Sequence, residues 1–170
     1  MSKTTHALLP GSYDPITLGH LDVIRRAAAL FERVTVAVMT NDMKSYVPSA
    51  NSKEYLFSME QRTAMAAAAC RDLPNVRVIS SDAKLIDLFD EIGATLIVKG
   101  IRNEEDYRYE QQHALYNRAH NERAETLYLP ADARFDAVSS TLVRERLCRG
   151  EAIDGLVPPS VAELIKKTGV

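Results

Sequence analysis

Pro10-Gly11-Ser12-Tyr13-Asp14-Pro15-Ile16-Thr17-Leu18-Gly19-His20 is the stretch whose reading decides the fold. It follows a short apolar run, His6-Ala7-Leu8-Leu9, and precedes Ile24, Ala27, Ala28 and Phe31, which recur at i, i+3, i+4 and i+7. That spacing is helical, so the stretch reads as a strand, a tight loop and a helix start. Such a junction is suited to anions, because unpaired backbone N–H groups and the positive end of the helix dipole point the same way. Gly11 and Gly19 are expected to let backbone approach a ligand closely. His20 falls in the first helical turn, where it reads either as a capping histidine or as a donor to a phosphate oxygen. From position alone the capping reading is the commoner one for a histidine at a helix start.

Outward from there, strand and helix patterns alternate. Arg33–Met39 is a β-branched run suited to a buried parallel strand. A long polar segment, Thr40 to Phe57, follows, and loops of that length are usually functional. Ser58-Met59-Glu60-Gln61 reads as a capping box opening a helix to about Arg71, and Val76–Ile79 as the next strand. Leu85, Ile86, Leu88, Phe89 and Ile92 give a helix that Gly93 ends. Thr95–Val98 reads as the fourth strand, with Lys99-Gly100-Ile101-Arg102 as the turn after it. Asn103 caps a helix reaching about Asn121, and Thr126–Leu129 is the fifth strand. Ser139-Ser140-Thr141 opens a helix closed by Gly150, and Ser160-Val161-Ala162-Glu163 reads as a second capping box. The whole is an α/β fold, a Rossmann-like five-stranded parallel sheet with helices on both faces. Ligands in such sheets bind beyond the carboxyl ends of the strands, where the first loop, the Thr40–Phe57 loop, the Lys99–Arg102 turn and the Ser139 segment all fall.

Composition narrows the class. A chain of 170 residues suits one domain, residues 1–170, around one core. A net charge of −2 with scattered Lys and Arg gives no nucleic-acid footprint. Cys70 and Cys148 match no zinc or redox spacing and read as reduced thiols. No apolar run approaches the roughly 20 residues that cross a bilayer, and residues 1–10 lack the pattern of a signal peptide. The expectation is a cytoplasmic protein with no membrane and no nucleic-acid partner.

The P-loop, G-x-G-x-x-G and G-x-S-x-G patterns are all absent. What remains is a histidine at a helix start, hydroxyls, and cations at loop ends. These parts suit the alignment and charge stabilisation that phosphoryl-type transfer needs. Ser12 reads as a turn hydroxyl or as a donor to an incoming phosphate, and Asp14 as a loop organiser. Lys44, or Lys53 in the same loop, is a candidate phosphate ligand. Lys99 and Arg102 flank Gly100 at the ligand edge. Glu110 reads as a solvated helix charge or as a partner for a nucleotide amino or hydroxyl group. Ser139, Ser140 and Thr141 supply an N-cap and a cradle for terminal phosphates. His6, His113 and His120 read as structural or exposed.

The first stretch resembles the nucleotidylyltransferase signature P-G-[ST]-[FY]-D-P-x-[TH]-x-G-H. Its Thr17-Leu18-Gly19-His20 form resembles the phosphopantetheine adenylyltransferase family. Thr35–Val38, Lys99–Arg102, Tyr109-Glu110, Asn117 and Val138–Arg144 continue the resemblance over nearly the whole chain. The resemblance implies transfer of the adenylyl group of ATP to 4′-phosphopantetheine, giving dephospho-coenzyme A and pyrophosphate. It assigns catalytic roles to His20, Ser12 and Lys44. It places phosphopantetheine at Ser12, Lys44, Leu85 and Lys99. ATP would lie among Ser12, Tyr13, His20, Gly100, Ile101, Arg102, Glu110, Phe135, Asp136, Ala137, Val138, Ser139, Ser140 and Thr141. It further implies Mg2+ carried by ATP rather than held by protein ligands, a homohexamer, and coenzyme A as feedback inhibitor. Two departures stand out: Lys99 where the family usually has arginine, and a longer loop carrying Lys44-Ser45 instead of paired lysines. Another phosphate acceptor in the same superfamily, or a nucleotide-binding sensor without turnover, are the alternative readings.

Overall fold

The computed structural model describes residues 5–40 and 55–169. The candidate lysines Lys44 and Lys53 therefore lie outside the described residues. The strands are β1 (His6–Gly11), β2 (Arg33–Met39), β3 (Val76–Ser81), β4 (Leu96–Ile101) and β5 (Thr126–Pro130). The helices are α1 (Leu18–Leu30), α2 (Met59–Cys70), α3 (Leu85–Glu91), α4 (Glu104–His120), α5 (Ser140–Cys148) and α6 (Pro159–Thr168). Among the described residues the strands form one sheet in the order β3-β2-β1-β4-β5, and every pairing is parallel.

The strand alternation sends side chains to two buried faces. Ala7, Leu9, Val34, Val36, Val38 and Val98 meet Leu21, Ile24, Ala27, Met65, Val143, Val161 and Ile165 on one face, so α1, α2, α5 and α6 cover it. Leu8, Ala37, Met39 and Ile97 meet Leu88, Phe89 and Ala124 on the other. Burial on both faces explains why β1 and β2 read as continuous apolar runs rather than alternating ones. His6 is structural as expected: its Nε2 lies 2.8 Å from Thr35 Oγ1, joining β1 to β2.

The chain winds outward from β1 in both directions, first to β2 and β3, then to β4 and β5. The strand order reverses between β1 and β4, where a crevice opens beyond the strand ends. α1 crosses that seam. A Cβ at Gly100 would lie 2.8 Å from Val23 Cγ2, so the glycine in β4 lets α1 settle closely on the sheet.

Two expectations are corrected. Lys99, Gly100 and Ile101 are not a turn; they continue β4, paired with Tyr128, Leu129 and Pro130. The glycine that suggests a turn is instead a packing requirement within a strand. Ser160-Val161-Ala162-Glu163 is not a capping box. α6 begins earlier, with Pro158 as N-cap and Pro159 in the first turn. Proline suits that position because its φ is preset and its missing N–H would have no partner there. Ser160 Oγ instead reaches the Ala68 carbonyl at 3.4 Å, tying α6 to α2. The Ser58–Gln61 capping box forms as read.

Replacing Gly100 by alanine should lower unfolding stability by about 1–3 kcal/mol in chemical denaturation, as overpacking does in a rigid core. Adding Val23→Ala should return part of that loss, since it removes the colliding methyl. Unchanged stability in Gly100→Ala would show that α1 does not depend on this contact.

Candidate active site

The first loop is held from several sides. Asp14 is buried, and its carboxylate accepts the amides of Leu56 and Phe57, each at 3.0 Å. Arg144 donates to the Asp14 carbonyl at 2.6 Å, and Ser140 Oγ donates to the Pro15 carbonyl at 2.8 Å. Arg62 is 2 % exposed and satisfies three carbonyls: Ser12 at 2.6 Å, Met39 at 3.2 Å and Phe57 at 3.2 Å. One guanidinium thus ties the ends of β1 and β2 to the entry of α2. Asp14 is the loop organiser that the sequence implies. Gly11 borders the cavity and also makes room for Tyr13: a Cβ there would meet the Tyr13 ring at 3.0 Å.

His20 occupies the third position of α1. The Thr17 amide donates to His20 Nδ1 at 3.1 Å, and the His20 amide donates to Thr17 Oγ1 at 3.4 Å. Histidine therefore takes the place that Glu or Gln holds in an ordinary capping box. An amide can only donate, so Nδ1 must accept, and the ring proton of the neutral imidazole sits on Nε2. The capping and ligand readings of His20 are therefore compatible, since one nitrogen caps and the other stays available. Tyr13 packs edge-on to the imidazole, with ring centroids 5.1 Å apart, and its hydroxyl donates to the Leu9 carbonyl at 3.0 Å. Tyr13 thus fixes the histidine ring and has no free hydroxyl proton to offer. Burial, reinforced by Arg102 and Lys99, pushes the His20 pKa down to about 4, so the ring is neutral near pH 7.

The cations meet the histidine from β4. Lys99 lies between the strand and α4, its Nζ 3.1 Å from Glu110 Oε2 and 3.3 Å from Oε1. Arg102 is held by Asp106 through two bonds, Nε at 2.8 Å and Nη2 at 3.1 Å. That fork raises Arg102 above its ordinary value, with the Asp106 hydrogen bond as main cause. At the opposite wall, Ser139 Oγ caps the Leu142 amide at 3.1 Å. Ser140 has given its hydroxyl proton to Pro15, and Thr141 Oγ1 accepts from Arg144 at 3.1 Å. The hydroxyls of this segment are largely committed to the protein. The helix start offers a ligand chiefly the amides of Ser140 and Thr141, which have no acceptor within the helix.

These walls enclose a cavity of about 980 Å³. It lies at the upper end of the range of about 300–1,000 Å³ found for small-molecule sites, so two reactants can share it. Ser12, Tyr13, His20, Leu85, Lys99, Gly100, Arg102, Glu110, Phe135, Val138, Ser139, Ser140 and Thr141 all border it. Ile101, Asp136 and Ala137 do not: Ile101 belongs to the β4 ladder, and Asp136 ends the short 3-10 turn at Ala133–Phe135. Asp106, Tyr109, His113, Asn117 and His120, none of which the sequence assigns to the site, border the cavity along one side of α4. With Glu110 they recur at spacings of three and four, a polar stripe that helical periodicity could have revealed. Arg144 was also missed as a wall residue.

The comparisons with known proteins bear on the family and the fold. Residues 8–146 match the cytidylyltransferase-like family model. Curated phosphopantetheine adenylyltransferases are similar over most of both chains. That of Finegoldia magna is 40% identical over 98% of this chain and 97% of its own length. That of Nocardioides sp. is 43% identical over 92% of each, and that of Limosilactobacillus reuteri 38% identical over 95% of this chain and 88% of its own length. The chain belongs to the phosphopantetheine adenylyltransferase family. A solved putative nicotinate-nucleotide adenylyltransferase from Vibrio parahaemolyticus superposes with a TM-score of 0.67, covering 98% of this chain and 94% of its own, at 22% identity. That likeness concerns the fold. The adenylyltransferase family's expected histidine, cation and helix-start positions lie on one cavity here, apart from the lysines outside the described residues.

Nitrogen NMR of the imidazole should find His20 as the neutral Nε2–H form from neutral pH down to about 4, the value to which burial pushes it. A midpoint near the ordinary 6.5 would show that the ring is not enclosed as described.

Proposed function

We propose that the protein transfers the adenylyl group of ATP to 4′-phosphopantetheine, releasing dephospho-coenzyme A and pyrophosphate. The observation that carries this is His20, locked by Thr17 and Tyr13 on a cavity it shares with Lys99, Arg102 and the start of α5. An oxygen of the acceptor phosphate attacks the α-phosphorus of ATP. The bond to the bridging oxygen breaks, and that oxygen leaves with pyrophosphate. No covalent protein intermediate is needed, so the chain's work is alignment and charge stabilisation. His20 cannot act as a base through Nδ1, whose lone pair is taken by the Thr17 amide. Its Nε2–H donates to an α-phosphate oxygen, where charge grows in the transition state. Arg102 and the Ser140 and Thr141 amides receive the β- and γ-phosphates. Ser12 and Lys99, with Lys44 or Lys53 of the loop outside the described residues, hold the acceptor phosphate.

Magnesium enters this reading as part of the substrate, bound to the triphosphate. Coenzyme A, which contains the product, would compete for the same cavity as a feedback inhibitor. A homohexamer is implied by the family resemblance, and Leu115 at 65% and Leu127 at 48% exposure are in keeping with contact between copies without bearing on their number. Cytoplasmic location is in keeping with the free thiols of Cys70 and Cys148. Among the described residues, no helix is long and apolar enough to cross a membrane.

Purified protein with ATP, magnesium and phosphopantetheine should release pyrophosphate. His20→Ala should lower kcat by about 10²–10³, the usual loss of one transition-state donor. Full activity in that variant would remove His20 from the chemistry. Faster turnover with nicotinate mononucleotide or glycerol phosphate would replace the acceptor.

A further inference from the structure

Lys99, Glu110 and His113 form a chain of charge along one wall of the cavity. Lys99 Nζ lies 3.1 Å from Glu110 Oε2, and His113 Nδ1 lies 3.8 Å from the same oxygen. Their side chains are only 18%, 15% and 15% exposed. Oε2 is buried and paired with the Lys99 ammonium by charge, without an aligned hydrogen bond, so the carboxylate has room for one more donor. His113 stands one turn along α4, where helical spacing brings it to Glu110.

We infer that His113 is a positioning residue that takes over Glu110 when an anionic acceptor draws Lys99 away, so that acceptor binding is accompanied by uptake of one proton. The inference rests on the acceptor reading of Lys99 given above. A single ammonium cannot neutralise both a carboxylate and a phosphate bearing about two negative charges. Once Lys99 turns to the phosphate, Glu110 is left charged, enclosed and unpaired, which the protein avoids by supplying another cation. His113 supplies it by accepting a proton from solvent on its imidazole. Its Nδ1–H then donates to Oε2 after a small rotation of the ring.

The surroundings favour this exchange. In the free protein, burial lowers the His113 pKa, Glu110 raises it and Lys99 lowers it. Moving the Lys99 charge away removes a cause that lowers it and leaves the one that raises it. The Tyr109 ring packs on the imidazole, with centroids 4.3 Å apart. Lys84, the N-cap of α3, and Asp87 within it border the same cavity, and just after β4 Arg102 is already paired with Asp106. Neither of these cations reaches Glu110 in an ion pair among the described residues, so His113 is the cation at hand.

The test is calorimetry of phosphopantetheine binding without ATP, near pH 7, in buffers of different ionisation enthalpy. Wild type should take up more protons than His113→Gln, by a difference approaching one per site. The ligand's own titration cancels in that difference, and pantetheine lacking the phosphate should show none. His113→Gln should bind phosphopantetheine about tenfold more weakly, the equivalent of one pKa unit. Its affinity should vary less with pH, whereas wild-type affinity falls as pH rises above neutrality. Glu110→Gln in that background should restore affinity, because no stranded carboxylate then competes for Lys99. His113→Asn should repeat the result if the longer amide disturbs packing. Equal proton uptake in wild type and both His113 variants, with wild-type turnover intact, overturns the relay alone. Wild type that neither binds nor turns over phosphopantetheine overturns the functional reading and the relay with it.

Discussion

Gly100 and Val23 meet where α1 crosses the seam between β1 and β4, and how close the start of α1 sits to the cations of β4 depends on that contact. A parallel sheet wound outward in two directions leaves a crevice at the reversal. The crevice becomes a site only if a helix start sits close above it. The missing side chain at Gly100 lets α1 descend, so His20 stands near Lys99 and Arg102 rather than a layer above them. The same contact explains why a glycine lies inside a strand, where it would otherwise weaken pairing and pack nothing.

Around that seam the protein keeps its charges in partnership. Arg102 is held by Asp106, Lys99 by Glu110, and Arg144 lies 3.7 Å from the Asp14 carboxylate. Cations gathered without partners would repel one another and press against α1 and β4. Pairing each with a carboxylate removes most of that repulsion while leaving the cations at the cavity wall. Arg62 differs: it is buried and spends its donors on backbone carbonyls, which makes it a brace for the loop rather than a ligand group.

The sheet and most of its helices were legible because local chemistry and global fold agree. Arg33–Met39 is read with its observed ends, and the Ser58–Gln61 cap is a purely local pattern. The errors arise where tertiary demands act. Gly100 suggests a turn by propensity, but α1 needs it in the strand. Ser160 and Glu163 match a capping pattern, but the prolines before them already start the helix. Most candidate site residues converge because they sit at carboxyl ends of strands, a rule of topology that sequence order alone supplies. His113, which reads as structural or exposed because an isolated histidine carries no signal, lies 3.8 Å from Glu110, and Glu110 in turn pairs with Lys99 from β4. Ile101, Asp136 and Ala137 are assigned by the resemblance alone, and they do not border the cavity.

The site therefore contains two kinds of group, and the difference between them bears on rate. His20 is fixed: its Nδ1 is occupied, its ring is wedged by Tyr13, and its protonation state is set by burial. Under the proposed reaction Lys99 would be exchangeable, loosening Glu110 to grip a phosphate, whereas Arg102 keeps donors beyond the two bonds to Asp106. Binding that requires such exchange is weaker than binding to free cations, so the ground-state complex is not over-stabilised. A donor that needs no rearrangement acts fully when charge shifts onto the transferring phosphate. Under the proposed reaction, this division favours the transition state over the bound substrates, which is the condition for accelerating the chemical step.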